Sequence, residues 1–151
     1  MMKIQTKYCG EMTYTEDEII HFPNGLFGFE DAHEFLLIRL EDDIASPFCL
    51  QSTENPNLAF IVVDPFQLTS NYAPDLPDED CVRLGDPSGE HIALYSICIL
   101  REPMSESTVN LRYPIAMHID THIAFQVILN NSGYTFEHKL SDLQLEEDTS
   151  C

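Results

Sequence analysis

One apolar run decides the fold of this chain: Ile92-Ala93-Leu94-Tyr95-Ser96-Ile97-Cys98-Ile99-Leu100. It contains a single polar residue, Ser96, so an extended chain would be apolar on both faces here. The run is far shorter than the roughly 20 apolar residues that a membrane-spanning helix requires. It therefore predicts a strand at the centre of a sheet, with other parts of the chain packed on both of its faces.

Shorter segments with apolar or alternating patterns surround this run and predict further strands. Turn-forming residues separate them, for example Glu54-Asn55-Pro56-Asn57. About eight to ten short strands with such turns predict an all-β domain, either a sandwich or a barrel. The predicted strands lie at residues 3–8, 11–14, 19–22, 35–40, 48–52, 58–63, 114–119, 123–129 and 134–139.

Helix is predicted in only two places. Residues 78–84 follow Pro77, begin with three acids and end at Gly85, which indicates a helix of about two turns. Residues 30–34 predict a single helical turn. The expected fold class is therefore mainly β, with one or two short helices in a single small domain.

The charge balance is the most informative part of the composition. Seven Lys and Arg face 26 Asp and Glu, which gives a net charge of -19. Binding to nucleic acid or to anionic membranes requires a basic surface, so this balance argues against both. A strong acidic field favours basic partners, although solubility alone explains the charge equally well.

The cysteines and the first residues indicate a cytoplasmic protein. Five cysteines are widely spaced and form no C-x-x-C motif, which favours reduced thiols over a disulfide framework or a zinc site. Residues 1–7 lack the apolar segment of a signal peptide. Neither feature predicts export or membrane insertion.

A search for catalytic and metal-binding motifs finds none, so we expect no enzyme activity and no cofactor. The nearest approach to a metal site is the pair His118 and His122. These histidines flank a predicted hairpin turn, and a tetrahedral site needs three or four converging ligands. We therefore interpret them as solvated turn residues.

One loop, residues 22–30, has an unusual composition. It contains Phe22, Phe27 and Phe29 together with Gly25 and Gly28. The glycines predict backbone angles that other residues avoid. The phenylalanines either plug one end of the domain or form a binding surface, and the pattern alone leaves both alternatives open.

This loop resembles the signature Phe-x-x-Gly-Leu-x-Gly-Phe-Glu of the flagellar assembly factor FliW family. Four further blocks of that family follow in order, so that the resemblance covers residues 3–143. Phe27 departs from the pattern, since the family usually has Pro there. The further blocks are Pro47-Phe48-x-Leu50-Gln51-Ser52, residues 59–65 with Tyr72, residues 108–115, and residues 126–129 with Tyr134.

The resemblance implies a partly open β-barrel that acts as a binding protein. Its implied partners are flagellin awaiting export and the RNA-binding regulator CsrA, whose repression of flagellin translation would be relieved by capture. The free protein is expected to be a monomer. Two other readings remain: a barrel that binds a small molecule in its interior, and an acidic mimic of nucleic acid.

The resemblance also suggests which residues matter. It implies structural roles for Gly25, Gly28, Phe29, Asn110 and Pro114. Two candidate partner-binding regions remain, namely Phe27 with its neighbouring loops, and an acidic C-terminal segment. We expect residues 1–143 to form the domain and residues 144–151 to form a flexible acidic tail. The acidic candidates are Asp142, Glu146, Glu147 and Asp148.

Overall fold

The computed structural model of the chain describes residues 2–40, 47–69, 71–130, 133–135 and 137–139. Strands dominate this part of the chain, with two short α-helices, α1 (Pro65–Leu68) and α2 (Asp78–Arg83). The mainly β class expected from the sequence is thus confirmed. The strands are β1 (Met2–Gln5), β2 (Glu11–Tyr14), β3 (Ile20–His21), β4 (Glu34–Arg39), β5 (Phe48–Ser52), β6 (Ala59–Val63), β7 (Ile92–Ile99), β8 (Thr108–Val109), β9 (Ile115–His118), β10 (Ala124–Gln126) and β11 (His138–Lys139).

The apolar run at residues 92–100 forms the longest strand, β7, near the middle of the main sheet. The order of strands is β10-β9-β7-β6-β5-β4-β3, and all neighbours are antiparallel. Leu94 pairs with Ala116 of β9, whereas Cys98 pairs with Ile61 of β6. The prediction of a central strand is therefore confirmed.

The two ends of this sheet approach each other without closing a barrel. A single parallel bridge joins His21 to Ile123, and the backbone N–H of His21 donates to the carbonyl of His122 at 2.8 Å. We call the gap between β3 and β10 the seam. The architecture is therefore the partly open, barrel-like one that the resemblance implies.

Both faces of the central strand are packed, as its sequence predicts. Leu94 and Cys98 belong to one core, which also contains Phe125 and Leu111. Tyr95 and Ile97 pack against a second core inside the curved sheet. The cavity in this second core measures only about 10 Å³, no more than the volume that holds one water molecule.

The hairpin of β1 and β2 forms a separate two-stranded sheet. Ile4 and Tyr14 of this hairpin pack with Ile19 and Leu36 as a small third core. The hairpin thus covers the outer side of β4. The side chain of Gln51, which is fully buried, ties it down by accepting a hydrogen bond from the Lys7 backbone at 2.9 Å.

The helices differ from prediction in two places. Helix α1 was not expected; Pro65 begins it and the Asp64 carboxylate accepts a hydrogen bond from the Phe66 backbone N–H, a favourable start even for one turn. The helical turn expected at residues 30–34 is wrong, because a hydrogen-bonded turn from Phe29 to Ala32 leads directly into β4. Among the described residues, no helix is long and apolar enough to cross a membrane.

Candidate functional site

The loop at residues 22–30 ends in a tight turn that projects Phe27. Leu26 and Phe29 exchange two backbone hydrogen bonds, of 3.2 and 2.8 Å, across Phe27 and Gly28. Gly28 has a φ of +85°, the left-handed conformation that such turns often need in their second central residue. Phe27 is consequently 50% exposed and Phe29 44% exposed.

Gly25 allows the loop to fold back on itself. Its φ is +68°, and a Cβ atom there would lie 2.6 Å from Cα and the carbonyl oxygen of Glu30 and from the carbonyl oxygen of Phe29. A side chain would therefore overlap backbone atoms that cannot move independently. The structural role expected of Gly25 has a physical basis in this close approach.

Gln126, which belongs to β10 on the other side of the seam, bonds to this loop through its side chain. Its Oε1 atom accepts a hydrogen bond from the Phe27 backbone N–H at 2.9 Å, and its Nε2 atom donates to the Tyr113 carbonyl at 3.0 Å. The rings of Phe27 and Tyr113 meet edge to face with centroids 5.8 Å apart. One side chain thus positions two aromatic rings that lie far apart in the sequence.

Asn110 and Pro114 shape the segment that carries Tyr113. The Asn110 Oδ1 atom accepts hydrogen bonds from the backbone N–H groups of Arg112 at 3.2 Å and Tyr113 at 2.9 Å. Pro114 is buried, and its carbonyl accepts a hydrogen bond from Val127 at 2.9 Å. The two residues thus hold the backbone on either side of Tyr113.

Beside these rings lies an open apolar groove of about 380 Å³, which we call the aromatic groove. Ile99, at the end of the central strand, is 47% exposed on its floor. The rings of Phe29 and Phe60 meet edge to face at 5.2 Å and form one margin. The apolar lining consists of Leu26, Phe27, Phe60, Ile97, Ile99 and Tyr113.

Two further grooves border the aromatic groove, and both contain acids. The loop-side flank, about 570 Å³, runs past Phe29 and is lined by Glu30, Asp31 and Glu54. The Glu54 carboxylate also accepts hydrogen bonds from the backbone N–H groups of residues 33 and 34. Because all three acids are exposed, this flank presents negative charge beside an exposed aromatic ring.

The helix-side flank, about 290 Å³, shares Phe27 and Gln126 with the aromatic groove. Its charged lining comes from α2, as Glu79, Asp80 and Arg83. Arg83 bonds to Asp80 at 2.5 Å and its guanidinium carbon lies 3.9 Å from the centre of the Phe125 ring. This cation is therefore engaged within the protein, which leaves Glu79 as the unneutralised charge of the flank.

The histidines lie at the opposite end of β7 and β9. His118 Nδ1 accepts a hydrogen bond from the Asp120 backbone at 3.1 Å, and His122 adopts a φ of +60° in the same turn. Within the described part of the chain, no three His, Cys, Asp or Glu side chains are grouped so as to hold a metal. His118 thus ends β9 and His122 lies in the turn that follows, so the two flank the turn as predicted, but both side chains are only partly exposed.

Three of the described cysteines, Cys49, Cys81 and Cys98, are buried and are poor nucleophiles. Burial raises the pKa of the Cys49 thiol to about 11 and that of the Cys98 thiol to about 12. Burial likewise raises the pKa of Cys81. A thiol, not the reactive thiolate, is therefore the form of these side chains near neutral pH.

The predicted partner-binding residues have different outcomes. Phe27 lies half-exposed on the rim of the aromatic groove. Asp142, Glu146, Glu147 and Asp148 lie outside the described residues, as does the expected boundary between residues 143 and 144. Sequence reasoning missed Ile99, because a strand that is apolar on both faces does not reveal which of its residues stay exposed. It also missed Tyr113, which lies outside that strand.

Comparison with known proteins gives a consistent result. Residues 3–140 match the family described as FliW protein. The chain is 39% identical to the flagellar assembly factor FliW of Bacillus subtilis (strain 168), over 92% of this chain and 96% of that protein. It is 36% identical to that of Geobacillus thermodenitrificans (strain NG80-2), over 92% and 95%. A crystal structure of the flagellar assembly factor FliW superposes with a TM-score of 0.82 at 35% identity, over 92% of this chain and 96% of that chain.

Proposed function

Because the chain belongs to the FliW family of flagellar assembly factors, we propose that it binds flagellin in the cytoplasm and, once released, captures CsrA. Capture of CsrA would relieve repression of flagellin translation. The two partners come from the family resemblance of the sequence. The protein would thus couple the amount of unexported flagellin to the synthesis of more.

The observation that best supports a binding role is the aromatic groove. Phe27 and Ile99 are 50% and 47% exposed there. Two glycines and Gln126 hold the groove in one shape on a packed sheet. Exposed apolar surface with such support is typical of protein interaction sites.

Other features support binding without catalysis. The interior of the curved sheet is filled with side chains, which leaves about 10 Å³ and disfavours a small-molecule carrier. The net charge of -19 supports a basic protein partner and disfavours direct contact with RNA phosphates. An acidic mimic of nucleic acid shares this charge, so the experiments below must separate the two roles.

The first experiment measures binding to both partners. Purified protein is mixed with flagellin, with CsrA, and with both, and the complexes are separated by size exclusion with light scattering. We expect a monomer when the protein is alone, a complex with each partner, and displacement of CsrA by flagellin. Binding to neither protein would overturn the proposed function.

The second experiment measures the effect on RNA. CsrA is bound to flagellin leader RNA, and the protein is titrated in during a gel-shift assay. We expect release of RNA from CsrA and no shift of RNA by the protein alone. Equal release of several unrelated RNA-binding proteins would instead favour a general acidic mimic of nucleic acid.

A further inference from the structure

The aromatic groove and its two flanks form one continuous surface. Phe27 borders both the aromatic groove and the helix-side flank. Phe29 lines the loop-side flank, and its ring packs edge to face against Phe60 of the aromatic groove, with ring centroids 5.2 Å apart. The loop at residues 22–30 therefore joins the three grooves, with apolar surface in the centre and acids on both sides.

The net charge of the lining side chains is negative on both flanks. The loop-side flank carries Glu30, Asp31 and Glu54, and no Lys or Arg lines it among the described residues. In the helix-side flank, Arg83 forms an ion pair with Asp80, so the charge of Glu79 is the net charge of this lining. A ligand that crosses the surface would meet apolar contacts in the middle and carboxylates at each end.

We propose that this surface docks a short segment of a partner protein in which apolar side chains are flanked on both sides by Lys or Arg. This inference rests on the proposed function only in taking the ligand to be a protein. Apolar side chains would cover Ile99 and Phe27, where exposed surface is removed from water. Basic side chains would lay their aliphatic stems along Phe29 and place their charges near Glu30 and Asp31.

The size of the groove agrees with such a ligand. About 380 Å³ of open space lies along its apolar lining and can receive apolar side chains of the segment. The groove is held open by the Gln126 hydrogen bonds and by Gly25, so binding would require little rearrangement of the backbone. The acids add selectivity by repelling segments with acidic flanks.

The test uses three fluorescein-labelled peptides of about twelve residues, which span roughly 40 Å when extended. All contain the same central block of Leu and Ile, whereas the flanking residues are Lys, Gln or Glu. Fluorescence anisotropy measures the Kd of each peptide for the full chain. We expect the Lys-flanked peptide to bind at least tenfold more tightly than the Glu-flanked one, with the Gln-flanked peptide between them. Equal affinity for all three would overturn the proposal.

A matched pair of variants locates the binding surface. Ile99 and Ile119 are both 47% exposed, but Ile119 lies at the opposite end of the sheet, beyond β9. Ile99→Ser should weaken binding of the Lys-flanked peptide about tenfold, whereas Ile119→Ser should leave it within twofold. Phe27→Ser is a second groove variant, and melting temperatures verify that each variant is folded. If the two Ile variants bind equally well, the groove is not the docking site.

A second matched pair tests the charges. Glu30→Gln with Asp31→Asn removes two acids from the loop-side flank, and Glu90→Gln with Asp120→Asn removes two exposed acids at the other end. Only the first double variant should reduce the preference for Lys over Glu flanks, by about fivefold at low salt. Equal losses in both would show that net charge, not the flank, selects the peptide.

The docking surface and the proposed function can fail independently of each other. If the chain binds flagellin and CsrA but Ile99→Ser and Ile119→Ser bind the peptide alike, the docking surface is wrong and the proposed function stands. If the groove selects the Lys-flanked peptide but the chain binds neither protein, the proposed function fails and the docking surface stands.

Discussion

An isoleucine is equally exposed at each end of β7, but the surroundings of the two differ. At the groove end Ile99 is 47% exposed between aromatic rings, and at the histidine end Ile119 is 47% exposed beside a turn. The groove end depends on contacts between distant parts of the chain, since Phe27 and Gln126 are 99 residues apart. Exposure alone therefore does not distinguish a site; the apolar and aromatic side chains around the exposed residue do.

Short-range hydrogen bonds around Asp86 close one of the turns at the histidine end. Asp86 accepts hydrogen bonds from the backbone of His91 at 2.5 Å and from the Ser88 hydroxyl at 2.8 Å. The rings of His91 and His118 are stacked, with centroids 6.2 Å apart. Such local hydrogen bonds define turns but build no groove, which is why we place the binding surface at the other end.

The largest effect should follow from a side chain at Gly25. A left-handed backbone costs about 1–2 kcal/mol for a residue with Cβ, and the forced overlap with residues 29 and 30 adds about 1–3 kcal/mol. Gly25→Ala should therefore lower the free energy of unfolding by about 2–5 kcal/mol. Urea unfolding measures this loss.

Gly10→Ala is the control for that substitution. Gly10 has nearly the same φ, +69°, but no atom lies within 4 Å of a Cβ placed there. It should cost only about 1–2 kcal/mol. If the two variants lose equal stability, the close approach at Gly25 contributes nothing and the groove end has no special constraint.

A smaller effect is expected from Gln126→Leu. The variant can neither accept from Phe27 nor donate to Tyr113, and each lost hydrogen bond is worth about 0.5–1.5 kcal/mol. We expect a loss of about 1–3 kcal/mol in unfolding free energy, together with weaker binding of the Lys-flanked peptide. Gln67→Leu, at an exposed position of α1, serves as the control and should change neither quantity. Unchanged binding in Gln126→Leu would show that the groove does not need this support.

At the histidine end, the effect should depend on pH. Hydrogen bonds from the His91 backbone and the Ser88 hydroxyl hold the pKa of Asp86 below its usual value. Its contribution to stability is therefore complete above the pKa of the unfolded chain, about 3.9, and is lost as pH falls through the lower folded value. Asp86→Asn should be less stable than wild type at pH 7, and the difference should shrink at pH 3. Urea unfolding at pH 7 and pH 3 measures the stability difference, with Glu90→Gln as the control. A difference of the same size at both pH values would contradict the expectation.

The smallest effect concerns the acidic C-terminal segment. Replacing Asp142, Glu146, Glu147 and Asp148 with Ser should slow association with CsrA by less than tenfold, because exposed charges act mainly on the rate of encounter. The change should vanish at high salt. Stopped-flow kinetics at two salt concentrations measure it. If the variant associates with CsrA at the wild-type rate at both salt concentrations, any electrostatic steering must come from the groove flanks.

Prediction from the sequence succeeded where a residue's role depends on its neighbours in the chain. The period of apolar residues predicted β5 at residues 48–52 with its observed bounds, and the acids after Pro77 predicted α2. It failed at residues 30–34, where acids favour a helical turn but pairing with His21 of β3 draws Glu34 into β4. It also overestimated the last strand, since β11 contains only two residues.

By itself, the sequence determined the mainly β class, the central strand, the need for glycine at positions 25 and 28, and membership of the FliW family. These depend on local periodicity, on backbone sterics and on the order of motifs, all of which can be read along the chain. Only the tertiary structure decided that Ile99 is exposed, that Gln126 joins Phe27 to Tyr113, and that acids border both sides of one groove. Those facts arise from the curvature of the sheet, which brings β3 and β10 together at the seam, and no local pattern specifies which side chains meet there.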